Sequence, residues 1–411
     1  MSELRPRSTA RSLKTAGIAR HGRLRKSGPW GAILAFIGGA LAVLLVSTTA
    51  VAGIVATQLF NQTEEVILVG DTEGPPPSIG AYPGGFNMLI VGSDMCESKS
   101  GCEGRGKANL NDVTMLLHVS ADGTNATAVS FPRDLVVPIP SCPKNGGQTA
   151  AMAGRPINET LYYGGLACTV LTVEKLSGLK IQFAGLITFN GVIQMSNAVG
   201  GVEVCVTERI DDKYVGLHLS KGTHKLSGRK ALAFLRSRHG VGDGSDLTRI
   251  SSQQVFLSSL VRTLKSKDTL GDPLKVYKLA QGATSSMTLS KGLKQLDTMY
   301  SIAAKLKDIP LDSVTFVQFP GRTGVTTPAM YAGKVAPIPD RVNALFAKIR
   351  ADEPFKLAQV GDENGGSVKN PNAPKPSDEP TSTSTAAPIK KDTLAGIKGQ
   401  TAADYTCSIA N

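Results

Sequence analysis

Strand-like runs in this chain end on groups that could hold a metal ion and a phosphate together. The run Phe86-Asn87-Met88-Leu89-Ile90-Val91-Gly92-Ser93 delivers Asp94. Asp112 opens Val113-Thr114-Met115-Leu116-Leu117-His118-Val119, and Ala128-Val129-Ser130-Phe131 leads into Pro132-Arg133-Asp134. Paired carboxylates suit a hard cation, magnesium or manganese, which takes oxygen ligands and leaves room for substrate phosphates. Arg133, Arg236, Arg238 and Arg249 add guanidinium groups that grip phosphate oxygens two at a time. Gln253 lies one helical turn beyond Arg249, on the same face. An arginine at a helix start opposes the helix dipole, a placement that makes sense beside a bound anion. Any one of these acids could equally cap a turn, and any one arginine could form a surface ion pair; the set is more persuasive than its members. The five histidines show no H-E-x-x-H spacing and no G-x-S-x-G element is present. Gly240-Val241-Gly242-Asp243-Gly244 lacks the lysine-serine ending of a nucleotide-cradling loop.

These residues need a scaffold. Strand-like runs lie near 87–92, 112–119, 125–131, 182–188, 202–206 and 313–319. Helical spacing is clearest over 247–264, where Leu247, Ile250, Phe256, Leu257, Leu260, Val261 and Leu264 recur on one side. Further helices are expected near 167–176, 190–198, 227–235, 291–307 and 339–350. The alternation predicts an α/β fold, a mixed central sheet with helices on both faces. Arg133 is expected in an extended segment after Pro132. Arg236 and Arg238 point to one side if their segment is extended and diverge if it is helical. The expected organisation is a basic arm over 1–28, an apolar helix over 29–60, a linker over 61–85, the main domain over 86–350, a Pro/Ser/Thr-rich linker over 351–392 and a short tail over 393–411.

The chain has 411 residues and a net charge of +12. Eight Lys/Arg against one Glu in residues 1–28 give +7, leaving about +5 for everything else. Such an arm could bind nucleic acid, but residues 27–63 carry no charge at all. That stretch exceeds the roughly 20 apolar residues that cross a bilayer. Flanking Lys/Arg belong on the cytoplasmic side. The expectation is therefore a single-pass anchor, N-terminus inside and main domain outside the cell, with no nucleic-acid partner. A cleaved signal peptide after Ala50-Val51-Ala52 is the alternative. All six cysteines follow this segment, and the even number fits an oxidising compartment. Cys168 and Cys205, both amid apolar neighbours, are the expected pair. Cys96 with Cys102 and Cys142 with Cys407 complete that arrangement; buried free thiols are the alternative.

The ordered set Asn87 to Asp94, Asp112-Val113-Thr114-Met115-Leu116, Phe131-Pro132-Arg133-Asp134, Ile157-Asn158-Glu159 and Tyr163-Gly164-Gly165 resembles the LytR-CpsA-Psr cell-envelope ligases of actinobacterial type. Asn197-Ala198-Val199-Gly200-Gly201-Val202, Ala231 to His239, Arg249-Ile250 and Gln253-Gln254 extend the resemblance over roughly 86–265. It implies a membrane-anchored phosphotransferase that moves a glycopolymer from a polyprenyl-pyrophosphate carrier to a peptidoglycan hydroxyl. Asp94 and Asp112 would then bind magnesium. Arg133, Arg236, Arg238 and Arg249 would hold the pyrophosphate, and an apolar pocket the prenyl tail. Asp134 is a candidate base, or an orienter of Arg133. Two alternatives share the motifs: a pyrophosphatase that releases the polymer to water, and a non-enzymatic envelope regulator. One departure stands out. Many members carry an arginine two residues before the second aspartate; here it is Leu110.

Overall fold

The computed structural model describes residues 63–71, 79, 82, 84–94, 109–144, 146–266, 275, 278–279, 281–282, 286–361, 366–373 and 392–411. The expected membrane segment and the Cys96–Cys102 loop lie outside these residues. Among the described residues, no helix is long and apolar enough to cross a membrane.

In chain order the strands used below are β1 (Glu64–Val66), β2 (Phe86–Ser93), β3 (Asn111–Val119), β4 (Ala126–Phe131), β5 (Phe183–Ile187), β6 (Val202–Val206) and β7 (Gly222–Leu226). They continue with β8 (Met287–Ser290), β9 (Val314–Gln318), β10 (Ser367–Lys369), β11 (Gly399–Thr401) and β12 (Thr406–Ser408). The helices are α1 (Thr160–Ser177), α2 (Phe189–Ala198), α3 (Gly228–Arg236), α4 (Asp246–Lys265), α5 (Leu296–Asp308) and α6 (Pro339–Arg350).

The main sheet has eight strands in the order β1-β8-β5-β2-β3-β4-β9-β11. It is mixed: β2 pairs antiparallel with β3 but parallel with β5. Side chains alternate across it with period two. Leu89, Val91, Leu116 and Val129 face one core, which α1 fills with Leu166, Val170 and Val173, and α6 with Leu345, Phe346 and Ile349. Phe86, Met115, Val119 and Ala128 face the other core, joined by Ile302 of α5 and by Leu257 and Val261 of α4. Burying each such Leu, Val or Phe contributes about 1.5–3 kcal/mol. A smaller four-stranded sheet, ordered β7-β6-β12-β10, packs against α3 and α4 around Val202, Val204, Phe234 and Phe256.

Three features depart from the sequence reading. First, two strands lie in stretches read as linkers: β1 pairs parallel with β8, and β10, inside the expected 351–392 linker, pairs antiparallel with β12. Second, residues 399–408, read as tail, are structural strands: β11 borders β9, and β12 sits between β6 and β10. Third, the expected Cys168–Cys205 disulfide is wrong. Cys142 bonds to Cys168, and Cys205 to Cys407. Cys168 faces a small cluster with Ile139 on the α1 side of the main sheet, whereas Cys205 lies in the second sheet, in register with Cys407 of β12. Apolar neighbours surround both residues in sequence, but the two lie in separate sheets, and Cys205 is only half-buried. Gly164 explains how α1 approaches so closely. A Cβ there would meet the Pro143 carbonyl oxygen at 2.7 Å and the Cβ atoms of both Cys142 and Cys168 at 2.9 and 3.0 Å. Gly164 and Gly165 also leave helical geometry, with φ of −159° and 66°, so α1 carries a kink just past its first turn.

Candidate functional site

The site forms where β2 ends, β3 begins and α4 begins. Asp94 follows β2, tied to the neighbouring chain by two contacts with Leu110. Its N–H donates to the Leu110 carbonyl at 3.1 Å, and its Oδ1 accepts from the Leu110 N–H at 2.9 Å. Leu110 thus does this work through its backbone, which any residue supplies. Asp112 is on β3. Its Oδ1 pairs with the Arg133 guanidinium, and its carbonyl accepts from Nη2 of Arg249 at 3.0 Å.

Arg133 is not in an extended segment. It sits in a tight turn closed by the Leu135 N–H on the Pro132 carbonyl at 3.0 Å. The Arg133 N–H donates to Oδ2 of Asp246 at 2.6 Å, and its carbonyl accepts from Asn158 at 3.2 Å. Asp246 opens α4 behind an N-cap in which Ser245 Oγ accepts from the Thr248 N–H. One turn on, Arg249 reaches back to Asp246 Oδ1 at 2.6 Å. Asp246 is only 1% exposed. Burial pushes its carboxyl above the usual carboxylate range, a rise that Arg249 opposes. One buried acid therefore joins the backbone of Arg133 to the head of Arg249.

The Nε–H groups of Arg133 and Arg249 are buried and meet no acceptor among the described residues. An unmet buried donor costs about 1–3 kcal/mol. A phosphate oxygen is an acceptor of the right charge for both.

Arg236 and Arg238 part company because α3 stays helical through Arg236 and ends at a Ser237 cap. The Arg236 guanidinium lies 4.4 Å from the centre of the Phe189 ring. Arg238 turns elsewhere. Its Nε donates to the Gly244 carbonyl at 2.9 Å, and its Nη1 is 3.6 Å from Asp134. Asp134 also meets Lys334 Nζ at 3.2 Å, so this acid lies between two cations. Asp112 and Asp246, then, hold Arg133, while Asp134 holds Arg238.

The segment after Arg238 is itself anchored. Asp212, buried to 1%, accepts at Oδ2 from Ser237 Oγ at 2.8 Å and from the N–H groups of Arg238, His239 and Gly240 at 3.1–3.2 Å. Its Oδ1 accepts from the Tyr214 N–H at 3.1 Å. Burial raises the Asp212 carboxyl pKa, but these hydrogen bonds outweigh it and leave it below the ordinary value. From the other side, Gly242 donates to the Ile409 carbonyl and Asn411 to that of Gly240.

Beside the charged cluster opens an apolar cavity of about 140 Å³. Ile90, Met115, Phe189, Leu232, Leu235 and Leu257 form its walls, and Asp112, Arg236, Arg249 and Gln253 also reach it. Gln253 Nε2 donates to the Leu235 carbonyl at 2.7 Å, fixing α4 against α3 at this point. The arrangement suits an amphipathic anion, its charged head on the arginines and its apolar part among the leucines.

Asp94 and Asp112 fit a magnesium ion by donor type, since both offer carboxylate oxygens. Asp112 meets Arg133 through Oδ1 alone. Among the described residues no three His, Cys, Asp or Glu cluster as a metal cage. An ion here would complete its shell with water and phosphate oxygens, as magnesium commonly does.

Asp246, Asp212 and Lys334 had no role in the sequence reading. Asp246, three residues before Arg249 at the head of a clear helical pattern, carried the only usable signal. Asp212 and Lys334 reach their partners across 26 and 200 residues, which no local pattern reveals.

Residues 57–343 match the LytR_cpsA_psr family. The chain is 30% identical over 270 residues to the cell wall biosynthesis protein LcpA of Corynebacterium glutamicum, covering 58% of this chain and 51% of that one. It is 26% identical over 300 residues to the Bacillus subtilis polyisoprenyl-teichoic acid–peptidoglycan teichoic acid transferase TagT, covering 68% and 87%. The chain spans about half the length of LcpA. In fold it is similar to a LytR-Csp2A-Psr enzyme from Actinomyces oris, with a TM-score of 0.52 at 22% identity over 70% of this chain and 95% of that one.

Proposed function

The chain belongs to the LytR_cpsA_psr family, and from that membership we propose that it is a phosphotransferase of the cell envelope. It takes a glycopolymer from a polyprenyl-pyrophosphate carrier and joins it through a phosphodiester to a sugar hydroxyl of peptidoglycan. The observation that supports this most is the continuity of charge and grease. Arg236 and Arg249 line the same cavity as Leu232, Leu235 and Leu257. A soluble nucleotide needs no such apolar wall; a prenyl diphosphate needs both halves.

In this reading Arg133 and Arg249 bind the diphosphate, their orphaned Nε–H groups finding acceptors on its oxygens. Arg236 holds the phosphate at the cavity mouth, where charge builds as the carrier departs. Asp246 keeps the first two arginines in register. Magnesium held by Asp94 and Asp112 would neutralise diphosphate oxygens when bound. The acceptor hydroxyl attacks the phosphorus bonded to the polymer, the bond to the carrier phosphate breaks, and polyprenyl phosphate leaves, taking up the hydroxyl's proton. Asp134, flanked by Lys334 and Arg238, acts as a strut for Arg238 rather than as the proton acceptor. The apolar stretch over 29–60 anchors the enzyme, with its catalytic domain outside the cell.

The test is transfer by the purified protein from a short-chain prenyl-diphosphate polymer to a peptidoglycan glycan, with and without a magnesium chelator. Arg133→Ala should lose at least about 10²-fold in rate while keeping the wild-type melting profile, because Arg133 is 28% exposed. Wild-type transfer by that variant would remove the assignment. Release of polymer to water only, with acceptor present, would favour the pyrophosphatase alternative.

A further inference from the structure

Helix α4 separates two different cavities. Arg249, Gln253 and Leu257, four residues apart, face the apolar one. Val255, Ser259, Arg262 and Thr263 recur on another side of the helix and face a polar groove of about 520 Å³. The second sheet floors this groove with Glu203 and Lys225, which are cross-strand partners, and with Thr223. Asn370 and Asn372, after β10, and Tyr405, before β12, form its wall. Nothing in the transfer mechanism uses these residues.

The groove has a fixed centre. Arg262 donates through Nη1 to the Ala402 and Asp404 carbonyls and lies 4.2 Å from the centre of the Tyr405 ring. Tyr405 is thereby held in place while 37% exposed. A Tyr ring held at low entropic cost is an effective contact surface. The rim is polar. Among the described residues, the side chains of Thr223, Lys225 and Asn372 make no hydrogen bond, and Glu203 acts on Arg262 through charge alone. Carboxylate, ammonium, hydroxyl and amide therefore line one groove together with an aromatic ring, offering both donors and acceptors.

We infer that this groove binds an oligosaccharide. A sugar chain presents hydroxyls to such a mixed rim and C–H faces to a ring. A lipid would need apolar walls, and a phosphate would meet Glu203 among its cations. The volume falls within the range of small-molecule sites. The glycan could come from the peptidoglycan acceptor or from the transferred polymer; the chemistry is shared, and the groove would tether that glycan on the face of α4 turned from the phosphate cluster.

The experiment is calorimetric titration of the full-length protein with a peptidoglycan tetrasaccharide and, separately, with a lipid-free fragment of the wall polymer. Saturable binding of one of them is expected, and which one binds identifies the source. The exposed-residue variants Lys225→Ala and Asn372→Ala should each weaken it by about fivefold, the loss of about one hydrogen bond. Arg133→Ala should bind like the wild type, because it lies in the other site. The inference is overturned if neither saccharide binds, if the two groove variants bind unchanged, or if Arg133→Ala abolishes binding. Since the readout is affinity alone, none of these results depends on whether the protein catalyses transfer.

Discussion

Replacing Asp246 by Asn is the most searching perturbation of the phosphate cluster. The variant keeps shape and retains an oxygen for the Arg133 N–H, which now sits 2.6 Å from Oδ2. What it removes is the charge facing Arg249, whose side chain is 6% exposed. A buried cation deprived of its partner costs about 3–5 kcal/mol. Stability of a domain is itself only about 5–15 kcal/mol. At roughly 2–4 °C per kcal/mol for a domain of 150–250 residues, the melting point should fall by about 6–20 °C. Transfer should also fall, because Arg249 loses the group that aims it. The double variant Asp246→Asn/Arg249→Met removes both charges, so its melting point should recover part of that loss. Thermal unfolding followed by circular dichroism measures all three proteins. If Asp246→Asn melts within about 2 °C of wild type, or if the two substitutions simply add, the buried pair is not what organises the site.

Leu235→Trp should fill the 140 Å³ cavity and weaken binding of a prenyl phosphate by at least about tenfold; inorganic pyrophosphate, titrated against the same protein, should bind as before. Asp212 sets an acid limit. Its hydrogen bonds hold its folded pKa below the ordinary carboxylate value, so its contribution is present above the unfolded value and is lost as pH falls through the folded one. Urea midpoints measured from pH 5 downward should therefore drop less steeply in Asp212→Asn than in wild type, from a lower starting point; parallel curves would contradict the assignment. Removing the disulfide that spans 202 residues by Cys205→Ala/Cys407→Ala should cost about 2–5 kcal/mol in denaturant unfolding, and an unchanged midpoint would refute its stabilising role.

The parts of this fold legible in the sequence are those written in local periodicity. Apolar runs within Phe86–Ser93 and Asn111–Val119 mark the two central strands to within a residue, because each packs both of its faces against helices. The 3.6-residue repeat marks α4 likewise. The strand-end acids and arginines stand out because they interrupt apolar runs. By contrast, Met287–Ser290, Gly399–Thr401 and Thr406–Ser408 are three or four residues long and carry no pattern of their own. They become strands only because partner strands present unpaired backbone groups. The cysteine pairing failed for the same reason. Burial is visible in composition, whereas which core a residue enters is decided by topology. Leu110, an apparent loss at the site, meets Asp94 through main-chain atoms that the side chain does not change.

The two short strands near Gly399 and Cys407 carry a consequence in time. Ile409 and Asn411 brace the glycine loop that follows Arg238, and Ser408 meets Ser252 of α4 across 156 residues. Contacts of such long range form late, after local helices and hairpins. A ribosome adds residues at about 5–20 per second, so the main sheet can assemble around β2, β3 and β4 well before residues 399–411 have been made. Through that interval the Arg238 loop lacks one of its two supports. The Arg238 loop thus gains its second support only after the strands of the main sheet have been made, and without residues 399–411 it would be braced by Asp212 alone.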